Sequence, residues 1–220
     1  MKMYKIIIFG TTGMLGSQML DVFSLDKRFK IYEMNRKKKI GSTMINIENQ
    51  NDLINKIKYI KPDFVINCVG WIKQKNINKR MPFIINSQFP LFLSQLALIF
   101  NFRFIHISTD CVFTGKKGNY SDDDKKDAND LYGLSKSFGE IKNSNTLTLR
   151  TSIIGPEEGL KKFGLLEWFL LQKIKIKGFD RVLFSGLTTR ELSKVIKKYI
   201  FNKNLYNNIL NISSKPITKF

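Results

Sequence analysis

Tyr132 and Lys136 stand four residues apart in the run LYGLSK, a spacing that puts both on one face of a helix beginning near Leu131. An ammonium at that distance favours tyrosinate, lowers the phenol from its usual pKa of about 10, and makes it a usable acid or base. Well upstream, Gly10-Thr11-Thr12-Gly13-Met14-Leu15-Gly16 follows an apolar run and opens a helix-like segment. A glycine turn in that setting bares the backbone N–H groups of a helix N-terminus to a pyrophosphate. Between the two lies His106-Ile107-Ser108-Thr109-Asp110, an apolar strand ending in hydroxyls. A phenol, an amine, hydroxyls and a dinucleotide turn together predict hydride and proton transfer on a small molecule with a nicotinamide cofactor.

Around the turn the glycines read G-x-x-G-x-x-G, one residue removed from the dinucleotide pattern but with the same physics. The first makes the turn, the second lets backbone approach phosphate, and the third lets helix pack on strand. Gly10, Thr12, Gly13, Met14, Leu15 and Gly16 are the predicted pyrophosphate lining. About twenty residues on, strand two ends beside the adenosine ribose, where an acidic residue would suit NAD. Asn35-Arg36 stands there instead, and the planar fork of Arg36 suits the 2′-phosphate of NADPH. Glu33 is the alternative ribose ligand, so NADH remains possible. Asn67, Val69 and Gly70 at the end of strand four, with Ser108, Tyr132 and Lys136, complete the predicted cofactor contacts. His106, the sole histidine, is read as a packed or hydrogen-bonded structural residue.

Short runs rich in Ile, Val and Phe alternate with helical segments, the pattern of a parallel sheet covered on both faces. Strands are expected at 5–9, 30–34, 64–68, 103–107 and 146–149, with helices over 14–23 and 82–100. In the second helix Ile84, Ile85, Phe92, Leu96 and Ile99 are available for packing. The stretch TGKKGNYSDDDKKDAND from Thr114 to Asp130 is a loop. Beyond Arg150 come a turn at Gly155-Pro156, an apolar helix through 164–172, a short strand near 182–184, a helix over 188–201 and a strand at 208–212. Ser213-Ser214-Lys215-Pro216 resembles a helix opening. The fold class is α/β, a Rossmann-like doubly wound parallel sheet forming one domain over 1–220, with the small substrate-binding elements, an incomplete set, within 151–220.

Composition bounds the partners. The net charge of +19 raises nucleic acid, but the lysines are spread along the chain and the densest run, Arg36-Lys37-Lys38-Lys39, is short. We therefore expect a generic basic surface that attracts anionic nucleotides, with no nucleic-acid site. Cys68 and Cys111 lack metal-ligand spacing and fit buried free thiols, and no metal is expected. No apolar stretch reaches the length of a membrane span, and no cleavage site follows the first residues, which predicts a cytoplasmic protein.

GTTGMLG, ISTDCVFTGKKGNYSDDD, LYGLSKSFGE and LRTSIIG together resemble the extended short-chain dehydrogenase/reductase family, most closely its dTDP-4-dehydrorhamnose reductase branch, from the first strand to Phe220. The resemblance implies NAD(P)H, a nucleotide-linked 4-keto-6-deoxy sugar as substrate, and Thr109, Tyr132 and Lys136 as the catalytic group. It implies Thr109, Asp110 and Arg150 on the substrate side and allows a homo-oligomer. Two features depart from it: Cys111 stands where such reductases often have tyrosine, and the family usually continues with further C-terminal helices. Epimerases and dehydratases of the same family, which return their hydride, and an idle dinucleotide-binding subunit are the alternative readings.

Overall fold

The computed structural model describes residues 2–36, 40–72, 79–157, 164–176 and 178–219. Lys37 to Lys39 of the basic run lie outside them. A seven-stranded parallel sheet has β1 (Tyr4–Phe9) near its middle, flanked by β2 (Phe29–Asn35) and β4 (Phe64–Asn67). β3 (Thr43–Met44) extends one edge, and β5 (Arg103–Ile107), β6 (Thr146–Arg150) and β10 (Asn208–Asn211) extend the other. Between β1 and β4 the order reverses direction, which opens a crevice at the carboxyl ends of those strands, where ligands of such sheets bind.

Burial explains the strands. Ile6, Ile7 and Ile8 are each 0% exposed, so β1 is covered on both faces and needs apolar residues at successive positions. One face packs on α1 (Met14–Ser24) and α7 (Thr189–Tyr199), the other on α2 (Gln50–Ile60) and α4 (Phe89–Phe100). Thr188 caps α7 by accepting from Glu191 N, and Asn49 caps α2 by accepting from Asp52 N.

A short α3 (Arg80–Phe83) and a π turn (Ile84–Gln88) lead into α4, making a helical run from Arg80 to Phe100. Contrary to expectation, this run is long and apolar enough to cross a membrane by length and composition. Its buried residues Phe89, Leu93, Leu96 and Ala97 pack in the sheet's core, which accounts for the hydropathy. Ile99 faces outward at 69% exposure, correcting its predicted place in that core.

Beyond β6 the chain forms two small sheets. β7 (Ile153–Ile154) pairs with β9 (Leu187–Thr188), and β8 (Phe179–Phe184) pairs antiparallel with β11 (Ile217–Lys219). Ser213 to Pro216 therefore lead into a strand, not a helix. The Ser214 hydroxyl donates to Gly186 O and its N–H to Ser185 O, so the serine fastens this turn to the ribbon instead of capping a helix. Between the small sheets lies α6 (Leu165–Leu170), which begins beside the first glycine turn: a Cβ on Gly164 would sit 2.9 Å from Met14 Cε.

Candidate active site

At the carboxyl end of β1, Gly10 adopts φ +82°, a left-handed conformation that favours glycine. Gly16 allows α1 to approach that turn, since a Cβ there would lie 2.0 Å from Gly10 O. Gly13 is the N-cap of α1 and offers no side chain to its N–H groups. The start of α1 thus presents its own donors and positive dipole end, a fit for a dinucleotide pyrophosphate. Thr11 braces the turn beneath: its hydroxyl donates to Glu33 Oε2 at 2.7 Å and accepts from Asn35 Nδ2 at 2.7 Å. Thr12 N donates to Asn35 Oδ1 at 3.3 Å. Asn35 is turned inward and Glu33 is engaged by Thr11, whereas Arg36, just past the end of β2, is exposed.

The end of β4 adjoins the turn, because a Cβ on Gly10 would lie 3.1 Å from Val69 Cγ2. Asn67 Oδ1 accepts from Val69 N at 3.0 Å, and its amide lies 3.3 Å from His106 Nδ1. His106 is wholly enclosed, and burial, with Lys136 nearby, depresses its pKa well below the usual value. That suits the structural role read from the sequence.

α5 (Leu131–Phe138) carries the phenol and the amine. Asp130 caps it by accepting from Gly133 N at 2.9 Å. Lys136 extends beneath the site to donate to Ile107 O at 2.9 Å, with Gly70 against the ammonium. Burial lowers this lysine to about 8, opposed by the neighbouring Cys68 and Glu140. Tyr132 shares a hydrogen bond with the Thr109 side chain. Thr109 Oγ1 also donates to Asp110 Oδ1 at 3.2 Å and accepts from Cys111 N at 3.2 Å.

One expectation is overturned here. Tyr132 is pushed up to about 12, first by burial and then by Cys111, Asp110 and Asp130, with only the Thr109 bond opposing them. Lys136 does not lead the charges acting on the phenol, because its ammonium is directed to Ile107 O. In the ligand-free chain the phenol therefore carries its proton throughout the neutral range.

Ser108 and Arg150, read as cofactor and substrate contacts, meet at Glu140. Ser108 Oγ donates to Glu140 Oε1 at 2.8 Å, and Arg150 clasps the same carboxylate through Nε at 2.8 Å and Nη2 at 2.9 Å. Arg150 Nη1 also donates to Asp122 O at 2.9 Å, which ties the 114–130 loop to the sheet. Asp110, by contrast, is exposed and accepts from the Ser152 hydroxyl. Cys68 and Cys111 form no disulfide and are half-buried. Among the described residues no cluster of His, Cys, Asp and Glu could hold a metal ion.

Sequence reasoning missed Asn86. In the π turn its Oδ1 accepts from Trp71 N at 2.8 Å, and Nδ2 donates to Trp71 O at 3.2 Å and Ser135 Oγ at 2.9 Å. Ser87 Oγ donates to Ser135 O at 2.6 Å, so two neighbouring polar residues hold the helix bearing Tyr132 and Lys136. The signal was the polar run Asn86-Ser87-Gln88 inside a largely apolar helix, its Asn86 four residues before Pro90, whose missing N–H cannot serve the Asn86 carbonyl.

A family model described as the RmlD substrate binding domain matches residues 3–162. The chain belongs to that family. It thereby falls within the extended short-chain dehydrogenase/reductases, a family of NAD(P)-dependent enzymes. Over 213 residues it is 26% identical to the spore coat polysaccharide biosynthesis protein SpsK of Bacillus subtilis, covering 93% of this chain and 73% of SpsK. To the dTDP-4-dehydrorhamnose reductase of Aggregatibacter actinomycetemcomitans it is 26% identical over 157 residues, covering 68% of this chain and 51% of that protein. The crystal structure of the Bacillus anthracis dTDP-4-dehydrorhamnose reductase in complex with NADP shares the fold, with a TM-score of 0.82 at 22% identity, covering 99% of this chain and 77% of that one.

Proposed function

We propose that the protein reduces the 4-keto group of a nucleotide-linked 4-keto-6-deoxy sugar, with NADPH as reductant, in deoxysugar or polysaccharide biosynthesis. The observation that carries this reading is the Thr109–Tyr132 hydrogen bond at the same sheet edge as the uncapped N-terminus of α1. When bound there, a reduced nicotinamide would supply the hydride that adds to C4.

Tyr132 donates its proton to the carbonyl oxygen as the hydride arrives, and its raised pKa keeps that proton in place at neutral pH. Thr109 holds the same oxygen in line with the phenol and supports the phenolate left behind. Lys136 supplies an ammonium beneath the site that would hold the nicotinamide ribose hydroxyls. Gly10, Gly13 and the first N–H groups of α1 would hold the pyrophosphate, and Arg36 would meet the 2′-phosphate. Support for the reductase reading over its epimerase and dehydratase relatives comes from sequence: two proteins named dTDP-4-dehydrorhamnose reductase match this chain at 26% identity over 157 residues and 24% over 137 residues.

The test is stoichiometric. The protein is incubated with NADPH and a panel of nucleotide-linked 4-keto sugars, and loss of reduced cofactor is compared with product formed. One NADPH consumed per product is the expected result. Product formed without net consumption would move the assignment to an epimerase or dehydratase.

A further inference from the structure

Ser108 and Thr109 are consecutive at the end of β5, yet their side chains serve opposite sides of the strand. Thr109 is extended, with φ −142° and ψ 153°, so neighbouring side chains project to opposite faces. Ser108 points inward to Glu140 Oε1 at 2.8 Å, while Thr109 points to Tyr132. Glu140 is itself immobilised. Its side chain is 0% exposed, clasped by Arg150 through two bonds, and paired with Lys126 Nζ at 3.2 Å. Lys126 also donates to Ser137 O at 2.7 Å, which joins the carboxylate to α5 itself.

We propose that Ser108, anchored by Glu140, is the positioning residue that aims Thr109 at the Tyr132 phenol. A shift of about 1 Å at a catalytic hydrogen bond is enough to slow a reaction many-fold. Ser108 N bonds Leu149 O at 2.7 Å, so the backbone is fixed on one side and the hydroxyl adds the second point needed to set the twist of the next residue. The hydroxyl of Ser108 then acts on the reaction through Thr109, without touching substrate or cofactor. This rests on the reading of Thr109 and Tyr132 given above.

A double-mutant cycle with S108A, T109V and S108A/T109V tests it, because Ser108→Ala leaves the Arg150–Glu140 pair intact. Ser108→Ala should lower kcat about tenfold with the KM for NADPH unchanged, and should cost nothing further in the T109V background. A second readout needs no cofactor: NMR titration of ring-labelled tyrosine in the free protein, with Tyr132 assigned by Tyr132→Phe. Groups acting on that phenol are Thr109, Cys111, Asp110 and Asp130. Loosening the Thr109 bond removes the influence that favours phenolate, so Ser108→Ala should move the Tyr132 midpoint upward, and Ser108→Thr, which keeps the hydroxyl, should restore both readouts. Independent, multiplying losses in the cycle, or an unmoved Tyr132 midpoint, would overturn the proposal. A fully active T109V would instead count against the catalytic reading, leaving the titration to decide the positioning role.

Discussion

Asn86 Nδ2 donates to Ser135 Oγ at 2.9 Å while its Oδ1 accepts from Trp71 N, so one buried amide joins the segment that follows β4 to the middle of α5. Asn86→Ala takes their partner from the buried Trp71 N–H and C=O, a loss of about 1–3 kcal/mol. Urea unfolding measures that loss. Because Ser135 directly precedes Lys136, kcat should fall as well, in steady-state assays of the folded variant.

Tyr132→Phe keeps the ring and removes only the hydroxyl. Turnover of a keto sugar nucleotide should fall by at least about a hundredfold, while NADPH affinity changes little. Cofactor fluorescence titration beside the kinetic assay checks both halves, and undiminished turnover would remove the phenol from its assigned role.

Lys136 sets a pH signature. Burial holds it at about 8 against a usual 10.5, so activity that depends on its ammonium should decline as pH rises through about 8. Stability moves oppositely. The unfolded chain keeps the proton up to its higher pKa, so the cost of burying the charge is full below the folded value and fades between 8 and 10.5. Tyr132, raised from 10.0 to about 12, contributes stability that is present below 10 and lost above it. Lys136→Met should therefore flatten the stability gain between about pH 8 and about pH 10, as read from urea midpoints.

Arg36 is exposed beside the inward-turned Asn35. Arg36→Ala should raise the Kd for NADPH about tenfold and leave that for NADH nearly unchanged. Paired fluorescence titrations with the two cofactors provide the ratio, and an equal loss for both would assign Arg36 no part in choosing between them.

The central strands were legible because a doubly covered strand must be apolar at successive positions, and the glycine turn because Gly10 and Gly16 meet steric demands few other residues satisfy. α2 went unread although Leu53, Ile57 and Ile60 lie on one helical face behind the Asn49 cap, since Lys and Asn residues dilute that stripe. The spacing of Tyr132 and Lys136 was correct as geometry and misleading as electrostatics. Adjacency along a helix does not show that the ammonium is directed to Ile107 O, nor that burial outweighs the other influences on the phenol. The meeting of Ser108 and Arg150 at Glu140 depends on three chain segments converging, which no local pattern encodes.

Past β6 the backbone leaves the large sheet for the outlying ribbons, returns as β10, and departs again to pair Ile217 with Phe184. Those ribbons are thus moored by several strands instead of hanging from one hinge. Any movement of the ribbons must pull on β6 and β10 together, so its strain is delivered to Arg150 and Asn211, paired neighbours whose side chains also grip the loop carrying Tyr120 and Asp122.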